Sequence, residues 1–262
     1  MTRKLILFCL VLAAGALVFF GLNSKRFSSS SAHKTLTVYC AAGLKRPVEE
    51  LAAQYEKEFG VQVSLQFGGT GTLLAQLRVA SQGDLFLAAD EGAMDEAQKL
   101  KVIREVIPVA LQHPVIVVAR GNPKNIHTIT DLERPDVRLA LTNPEAASIG
   151  KITQRLLGAR WTALASKAIV MKPSVTEVAA DAKLGTVDAT LIWDSLMPQH
   201  PELEMIRVPE LSHHEEKACA AVLTSANSPD EALKFARYLV ALDRGAAVFQ
   251  RHGFLPAGSR AN

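Results

Sequence analysis

The sequence predicts an α/β protein of two lobes, each built on a sheet with parallel strands and with helices on both faces. Three observations support this prediction. Residues 35–100 alternate between strand-type and helix-type periodicity, and the same alternation restarts after His113. The 262 residues contain no internal repeat with a period of about 20–50 residues. Successive βα units imply parallel strands covered by helices, and the absent repeat excludes a solenoid.

The first set of βα units follows a polar linker. Residues 35–40 alternate apolar and polar side chains as a strand does, and residues 47–59 place their apolar side chains on one helical face that Gly60 closes. The same criteria predict strands over 61–67 and 84–88, each followed by a helix, over 73–79 and 91–100.

The second set repeats this organisation and ends in two amphipathic helices. Two helix starts have the pattern of a capping box, because Ser174 precedes Glu177 by three residues and Ser228 precedes Glu231 in the same way. The predicted strands cover 115–119, 137–141, 168–171, 191–193 and 205–208, and the predicted helices cover 149–157, 175–184, 229–242 and 246–252.

The N-terminal segment predicts export. Residues 5–22 are apolar except for Cys9, and Arg3 and Lys4 precede them, which is the layout of an export signal. The run is long for a cleaved signal and barely long enough to span a bilayer. We therefore interpret residues 1–32 as a signal peptide or an N-terminal membrane anchor followed by a linker. Both interpretations place the body in the periplasm or at the outer face of the cytoplasmic membrane.

The charge distribution excludes nucleic acid as a partner. Of the 29 Lys and Arg residues, four lie within residues 1–32, where there is no Asp or Glu. The remaining chain has 25 cations against 26 anions, a net charge of −1. A surface without a basic excess lacks the electrostatic attraction on which nucleic-acid binding depends.

Export would permit the two cysteines of the body to form a disulfide. Cys40 and Cys219 are far apart in the chain, and their separation in space cannot be read from the sequence. A disulfide and two buried thiols both remain compatible with the sequence.

The sequence contains none of the common catalytic signatures. The motifs G-x-S-x-G, H-E-x-x-H and C-x-x-C are missing, and the loop over residues 68–72 lacks the lysine of a P-loop. Lone carboxylates such as Asp90 and Asp194 are interpreted as structural. We therefore predict a protein that is not an enzyme and that has no catalytic residue, no cofactor and no metal cation site.

Several strands instead end in small residues that lead directly into a helix. The first turn of a helix presents unpaired N–H groups and the positive end of the helix dipole, and small residues let a ligand approach them. Starts of this kind would hold an oxyanion if they met in one cleft. They occur at 41–43, 69–71, 147–150 and 174–175.

Six short segments in a fixed order carry a resemblance to a known family. They are 38–44 (VYCAAGL), 67–73 (FGGTGTL), 83–90 (GDLFLAAD), 143–145 (NPE), 188–193 (DATLIW) and 249–254 (FQRHGF). Together they resemble the molybdate-binding periplasmic proteins of ABC importers.

The resemblance implies a two-lobed type II periplasmic binding protein. In this fold each lobe is a mixed, mainly parallel sheet flanked by helices, and two hinge crossings join the lobes. We expect residues 33–112 and 221–262 to form lobe one and residues 113–220 to form lobe two. The resemblance also implies a monomer that binds a tetrahedral oxyanion, molybdate or tungstate first, and delivers it to the membrane permease of an ABC importer.

The resemblance further implies five ligand-binding residues: Gly43, Thr70, Ile149, Val175 and Trp193. Two of them depart from the family pattern. Gly43 stands where the family has a serine, so it offers an N–H but no hydroxyl. Trp193 stands where the family has a tyrosine, and its indole N–H can donate a hydrogen bond but cannot accept one.

Two other functions remain open at this stage. The first is a membrane-tethered sensor or scavenger with the same fold, which an uncleaved N-terminal segment would favour. The second is an exported hydrolase, for which Ser148 with His213 or His214 is the only candidate pair of nucleophile and base.

Overall fold

Two β-sheets organise the protein. The computed structural model describes residues 35–80 and 82–258, and both sheets belong to one compact unit that starts at Thr35. The strands, numbered in chain order, are β1 (Thr35–Ala41), β2 (Gln62–Gly68), β3 (Leu85–Ala88), β4 (Ile103–Gln112), β5 (Pro114–Ala119), β6 (Leu139–Thr142), β7 (Val170–Lys172), β8 (Ala189–Trp193), β9 (Leu203–Ile206), β10 (Glu216–Leu223) and β11 (Leu255–Pro256). The α-helices are α1 (Lys45–Phe59), α2 (Thr70–Leu77), α3 (Glu91–Lys99), α4 (Ser148–Leu157), α5 (Ala159–Lys167), α6 (Val175–Lys183), α7 (Pro209–Ser212), α8 (Pro229–Tyr238) and α9 (Gly245–Arg251).

The first sheet has the strand order β11-β4-β10-β3-β1-β2. β1 pairs in parallel with β2 and β3, whereas β10 runs antiparallel to β3 and β4, and β11 runs antiparallel to β4. β1 lies inside the sheet and buries its last four residues, whereas the edge strand β2 alternates exposed and partly buried positions. The predicted βα units therefore form the parallel part of this sheet.

The second sheet has the order β7-β6-β8-β5-β9. β6 pairs in parallel with β7 and β8, and β5 runs antiparallel to β8 and β9. Both sheets are mixed, as predicted. Among the described strands, however, antiparallel pairs are at least as numerous as parallel pairs in each sheet, because β4, β5 and β10 run against their neighbours.

Helices cover both faces of each sheet. Two hydrophobic clusters lie on opposite faces of the first sheet, and two more lie on opposite faces of the second. The C-terminal helices α8 and α9 pack in the first lobe beside α1. Tyr55 of α1 contacts α8, where it lies edge-on to Phe235 at 4.9 Å between ring centroids and donates a 2.6 Å hydrogen bond to Glu231 Oε1.

The chain passes between the sheets at two places. At the first crossing only His113 separates β4 from β5. On the return, β10 lies wholly in the first sheet from Glu216 onward, so the expected boundary near Ala220 falls inside this strand. We propose that the second crossing is residues 213–215 and that lobe one resumes at Glu216.

Two kinds of detail differ from the sequence-based expectations. The strands β4, β10 and β11 and the helices α5 and α7 were not predicted. Ser174 and Ser228 do precede helices, but neither forms a capping hydrogen bond with the backbone, and Ser174 Oγ instead donates to Glu177 Oε1 at 2.7 Å. The predictions for residues 1–32 lie outside the described residues.

Cys40 and Cys219 are free and buried. They belong to the clusters on opposite faces of the first sheet, and β3 lies between their strands. Strands two places apart are roughly 10 Å apart, beyond the approximately 7 Å limit between the Cα atoms of a disulfide. Of the two alternatives, the described fold therefore supports two separate buried thiols and not a disulfide.

No helix among the described residues is both long enough and apolar enough to cross a membrane.

Candidate functional site

A small cavity lies between the two lobes at the carboxyl ends of parallel strands. All five predicted residues line it: Gly43, Thr70, Ile149, Val175 and Trp193. The empty space is about 230 Å³ when open solvent at its mouth is included, and the enclosed part is far smaller. The cavity is therefore narrow.

Gly43 and Trp193 face each other across the cavity. Gly43 follows β1 in a single 3₁₀ turn, and Trp193 is the last residue of β8 and is 1% exposed. A Cβ atom built on Gly43 would lie 3.8 Å from Trp193 Cδ1 and 3.4 Å from Val175 Cγ1. Both distances are ordinary van der Waals contacts, so the two departures from the family pattern lie next to each other at the cavity.

Thr70 is the first residue of α2 and is 3% exposed. Its Oγ1 accepts a hydrogen bond from the Ala89 N–H at 3.2 Å. Because the hydroxyl accepts from the backbone, its own proton is free to point toward a ligand. The side chain thereby becomes an oriented donor at the wall of the cavity.

The second lobe contributes the starts of two helices. Ile149 is the second residue of α4, and Val175 is the first residue of α6. N–H groups in the first turn have no acceptor inside their own helix, and the helix dipole places partial positive charge there. Both starts line the same cavity, which makes this wall suited to an anion.

The cavity contains no formal charge of its own. Among the described residues that line it, there is no Asp, Glu, Lys, Arg or His. Cations are present only further out, and Lys45, at the start of α1, pairs with Glu49 at 3.8 Å. An anion inside the cavity would therefore be held by directed hydrogen bonds, with no side-chain counter-ion.

The lobes are in direct contact beside the cavity. The Thr72 N–H donates to the Ala146 carbonyl at 3.2 Å, and Lys151 Nζ lies 3.6 Å from Glu96 Oε2. Gly69 and Gly71 lie so close to the opposite lobe that a Cβ atom on either would collide with a backbone carbonyl oxygen there. The structure is a closed form, and glycine at these positions lets the lobes meet.

A hydrogen-bonded cluster at the first crossing fixes the position of Trp193. Asp194 follows Trp193 directly, accepts from the His113 N–H at 2.8 Å through Oδ1, and lies 3.1 Å from Arg207 Nη2 through Oδ2. Burial alone would raise the pKa of Asp194, but the hydrogen bonds from His113 and Arg207 outweigh it and hold the pKa below its ordinary value.

Gln112, the last residue of β4, links the lobes at the same crossing. Its Nε2 donates to the Ala89 carbonyl in the first lobe at 3.0 Å, and its Oε1 accepts from Ser195 Oγ in the second lobe at 3.0 Å. The sequence analysis did not identify Gln112 or Ser195. Neither residue belongs to a local pattern, and Ser195 is 83 positions from its partner.

The residues considered for hydrolysis do not form a catalytic pair. Ser148 Oγ donates to Asp90 Oδ2 and not to a histidine, and His214 Nε2 lies 2.7 Å from Glu216 Oε2. Burial raises the pKa of Glu216, against the hydrogen bonds from the Glu91 N–H and His214. Within the described ranges, no cluster of three or more His, Cys, Asp or Glu side chains could hold a metal ion.

Two lobes that close over an uncharged cavity at helix starts define a solute-binding protein. A family model described as bacterial extracellular solute-binding protein matches residues 36–255. The chain belongs to this family, and it is a solute-binding protein of the ABC importer type rather than an enzyme. The family also confirms the predicted location outside the cytoplasm.

Curated relatives agree with the predicted resemblance. A putative binding protein of Haemophilus influenzae is 29% identical over 225 residues, which are 85% of this chain and 91% of the relative. The molybdate-binding protein ModA of Escherichia coli is 27% identical over 255 residues, 93% of this chain and 96% of the relative. The ModA protein of Mycobacterium tuberculosis is 28% identical over 250 residues, with coverages of 93% and 94%.

Solved structures confirm the two-lobed type II fold. The periplasmic molybdate-binding protein of Azotobacter vinelandii superposes with a TM-score of 0.71 at 18% identity, over 84% of this chain and 98% of that one. The sulfate-binding protein SubI of Mycobacterium tuberculosis gives 0.75 at 17% identity, with coverages of 86% and 88%. A periplasmic thiamin-binding protein gives 0.72 at 18% identity, with coverages of 87% and 84%. Because one fold serves such different ligands, the ligand has to be argued from the cavity.

Proposed function

We propose that this protein captures a tetrahedral oxyanion, molybdate or tungstate first, and delivers it to the permease of an ABC importer. The observation that supports the proposal is the meeting of Gly43 and Thr70 from one lobe with the starts of α4 and α6 from the other, around one uncharged cavity. One chain supplies both walls, so we propose a monomer as the binding unit.

The donors at the cavity match the chemistry of an oxyanion. Such an ion offers only acceptors, and the cavity presents first-turn N–H groups, the Thr70 hydroxyl and the indole of Trp193. Each hydrogen bond to a charged group contributes about 1.5–3 kcal/mol. Four to six of them can exceed the cost of anion desolvation and lobe closure, and a micromolar site requires only about −8 kcal/mol.

Molybdate and tungstate rank first because several relatives are named as molybdate-binding proteins. The exchange of a family serine for Gly43 removes one hydroxyl donor, and the neighbouring Trp193 brings an N–H in place of a phenol. We propose that the amide donors of the two helix starts maintain selection for a tetrahedral anion.

Thermal unfolding with molybdate, tungstate, sulfate, phosphate and chromate tests the proposal. A ligand at 100 times its dissociation constant stabilises the folded state by about 2.7 kcal/mol, which raises the melting temperature by several degrees. We expect the largest shift with molybdate or tungstate. No shift with any of the five anions would contradict the proposal and direct attention to an organic ligand.

Two alanine variants separate directed donors from general electrostatics. Thr70→Ala removes an oriented donor, whereas Lys45→Ala removes a cation that is paired with Glu49 near the mouth of the cleft. We expect Thr70→Ala to weaken binding more. Equal losses would indicate that bulk charge attracts the anion.

A further inference from the structure

Asp90 joins the two lobes beside the cavity. It lies between β3 and α3 in the first lobe and is 2% exposed. Its Oδ1 accepts from the Ala93 N–H at 2.8 Å and so caps α3. Its Oδ2 accepts from the hydroxyl of Ser148, the first residue of α4 in the second lobe. The Asp90 carboxylate therefore forms one hydrogen bond within its own lobe and one with the second lobe.

Ser148 is placed to connect ligand and lobe contact. It is 4% exposed, it lines the cavity, and the next residue is Ile149. Its hydroxyl reaches Asp90, while its backbone begins the helix whose N–H groups face the anion site. Because the two residues belong to different lobes, their hydrogen bond forms only when the lobes close.

The buried bond differs from the exposed ion pair between the same helices. Glu96 of α3 pairs with Lys151 of α4, but these side chains are 36% and 53% exposed. Exposed ion pairs contribute little, typically less than about 1 kcal/mol. A hydrogen bond to a buried carboxylate is stronger, because it is charge-assisted and shielded from water.

We propose that Asp90 and Ser148 form a latch that holds the lobes closed and keeps the start of α4 against the bound anion. The two are positioning residues, since they act through the helix start that faces the ligand. This proposal rests on the proposed function for the identity of the ligand. The latch itself depends only on lobe closure.

A latch that forms after closure affects dissociation more than association. Ser148→Ala removes the hydroxyl but keeps the backbone N–H and the cap of α3. We expect the dissociation rate of molybdate to rise about 10- to 100-fold and the association rate to stay within about twofold. Lys151→Met, which removes the exposed interlobe pair and leaves the Glu96–Arg78 pair of the first lobe in place, is the matched control and should leave both rates nearly unchanged.

Asp90→Asn provides a rescue test. Its carbonyl oxygen can still accept from the Ala93 N–H, and its amide can donate to Ser148 Oγ, so both hydrogen bonds remain possible. We expect Asp90→Asn to dissociate more slowly than Ser148→Ala. A purely structural loss would impair both variants alike.

The experiment is stopped-flow measurement of tryptophan fluorescence with sodium molybdate, since Trp193 lines the cavity. X-ray scattering of the ligand-free proteins is measured in parallel, and Ser148→Ala should have a larger radius of gyration than the wild type. Unchanged dissociation and scattering in Ser148→Ala, or equal impairment of Asp90→Asn, would overturn the latch. If the wild type does not bind molybdate, the proposed function fails. The scattering of the ligand-free proteins still tests whether Asp90 and Ser148 hold the lobes closed.

Discussion

Asp194 forms hydrogen bonds at the first crossing and lies next to Trp193, which lines the cavity. It accepts hydrogen bonds from His113 at the crossing and from Arg207 beyond β9, and it immediately follows Trp193. Its side chain is only 11% exposed, so its bond to the His113 N–H is largely shielded from water, whereas the Arg207 side chain is half-exposed. The orientation of the indole therefore depends on a carboxylate that does not itself line the cavity.

We expect Asp194→Asn to lower the free energy of unfolding at pH 7 by about 1–3 kcal/mol, because hydrogen bonds to a buried charge are lost or weakened. The folded pKa of Asp194 lies below its ordinary value of about 3.9. The stabilisation is therefore present above about pH 4 and disappears as the pH falls through the folded pKa. Urea unfolding across this range measures it.

The matched control is Asp136→Asn. Asp136 is exposed, and its hydrogen bond with Arg134 lowers its pKa to about 2. We expect this variant to be less destabilised than Asp194→Asn, and salt should weaken its effect. Equal destabilisation of the two variants at pH 7 would contradict the role assigned to the Asp194 cluster.

The sequence predicts the residues of the cavity better than the carboxylates around it. Gly43, Thr70 and Trp193 lie in short segments that resemble a family, and they line one cavity in the structure. Asp90 and Asp194 are lone carboxylates, which we interpreted as structural. Asp90 binds Ser148, which is 58 positions away, and Asp194 binds His113, which is 81 positions away. No local sequence pattern indicates either contact.

Among the secondary-structure elements, the start of α2 determines how closely the lobes approach. Gly71 is its second residue and packs against the Glu145 carbonyl of the other lobe, where a Cβ atom would collide. The collision partner is backbone held in a turn, so it cannot move aside as a flexible side chain would. Closure thus depends on a helix start that lacks side-chain bulk.

We expect Gly71→Ala to hinder closure and weaken anion binding by at least about tenfold, which corresponds to about 1.4 kcal/mol. The ligand-free protein should stay folded with an unchanged or slightly raised melting temperature, because alanine favours a helix over glycine. Calorimetric titration and X-ray scattering measure the two effects. Gly258→Ala is the control, since nothing lies within 4 Å of its added Cβ. Wild-type affinity in Gly71→Ala would contradict a tight closed form.

The elements that were predicted are those with a local signal. α1 buries one face and ends at Gly60, whose φ of 68° requires the left-handed conformation that glycine adopts readily. β4 was missed because its burial does not alternate and because it contains Pro108. β10 was missed because it is buried almost throughout and pairs with β4 through shifted register. Both strands form by pairing with residues that are far away in the sequence.

At the scale of the whole molecule, two kinds of opening have to be distinguished. Separation of the lobes exposes the cavity, whereas unfolding of a lobe exposes its core. Cys40 and Cys219 report the second kind alone, because they are 0% and 1% exposed in the core of the first lobe and do not line the cavity. The antiparallel strands β4 and β10 also tie this core to both crossings.

We expect both thiols to resist iodoacetamide in the native protein and to react only through unfolding. Burial raises the pKa of the Cys40 thiol and raises that of Cys219 to about 12, so the reactive thiolate is scarce as well as inaccessible. A Cys9→Ser background leaves only these two cysteines of the chain to react. Where refolding outpaces alkylation, the rate follows the population of the unfolded state. An anion at 100 times its dissociation constant should then slow labelling about 100-fold.

Mass spectrometry of labelled peptides measures each cysteine separately, and the two rates should agree. Rapid labelling of either thiol at low denaturant, or labelling that a tightly bound anion does not slow, would show that the first lobe opens locally and would contradict a single cooperative core.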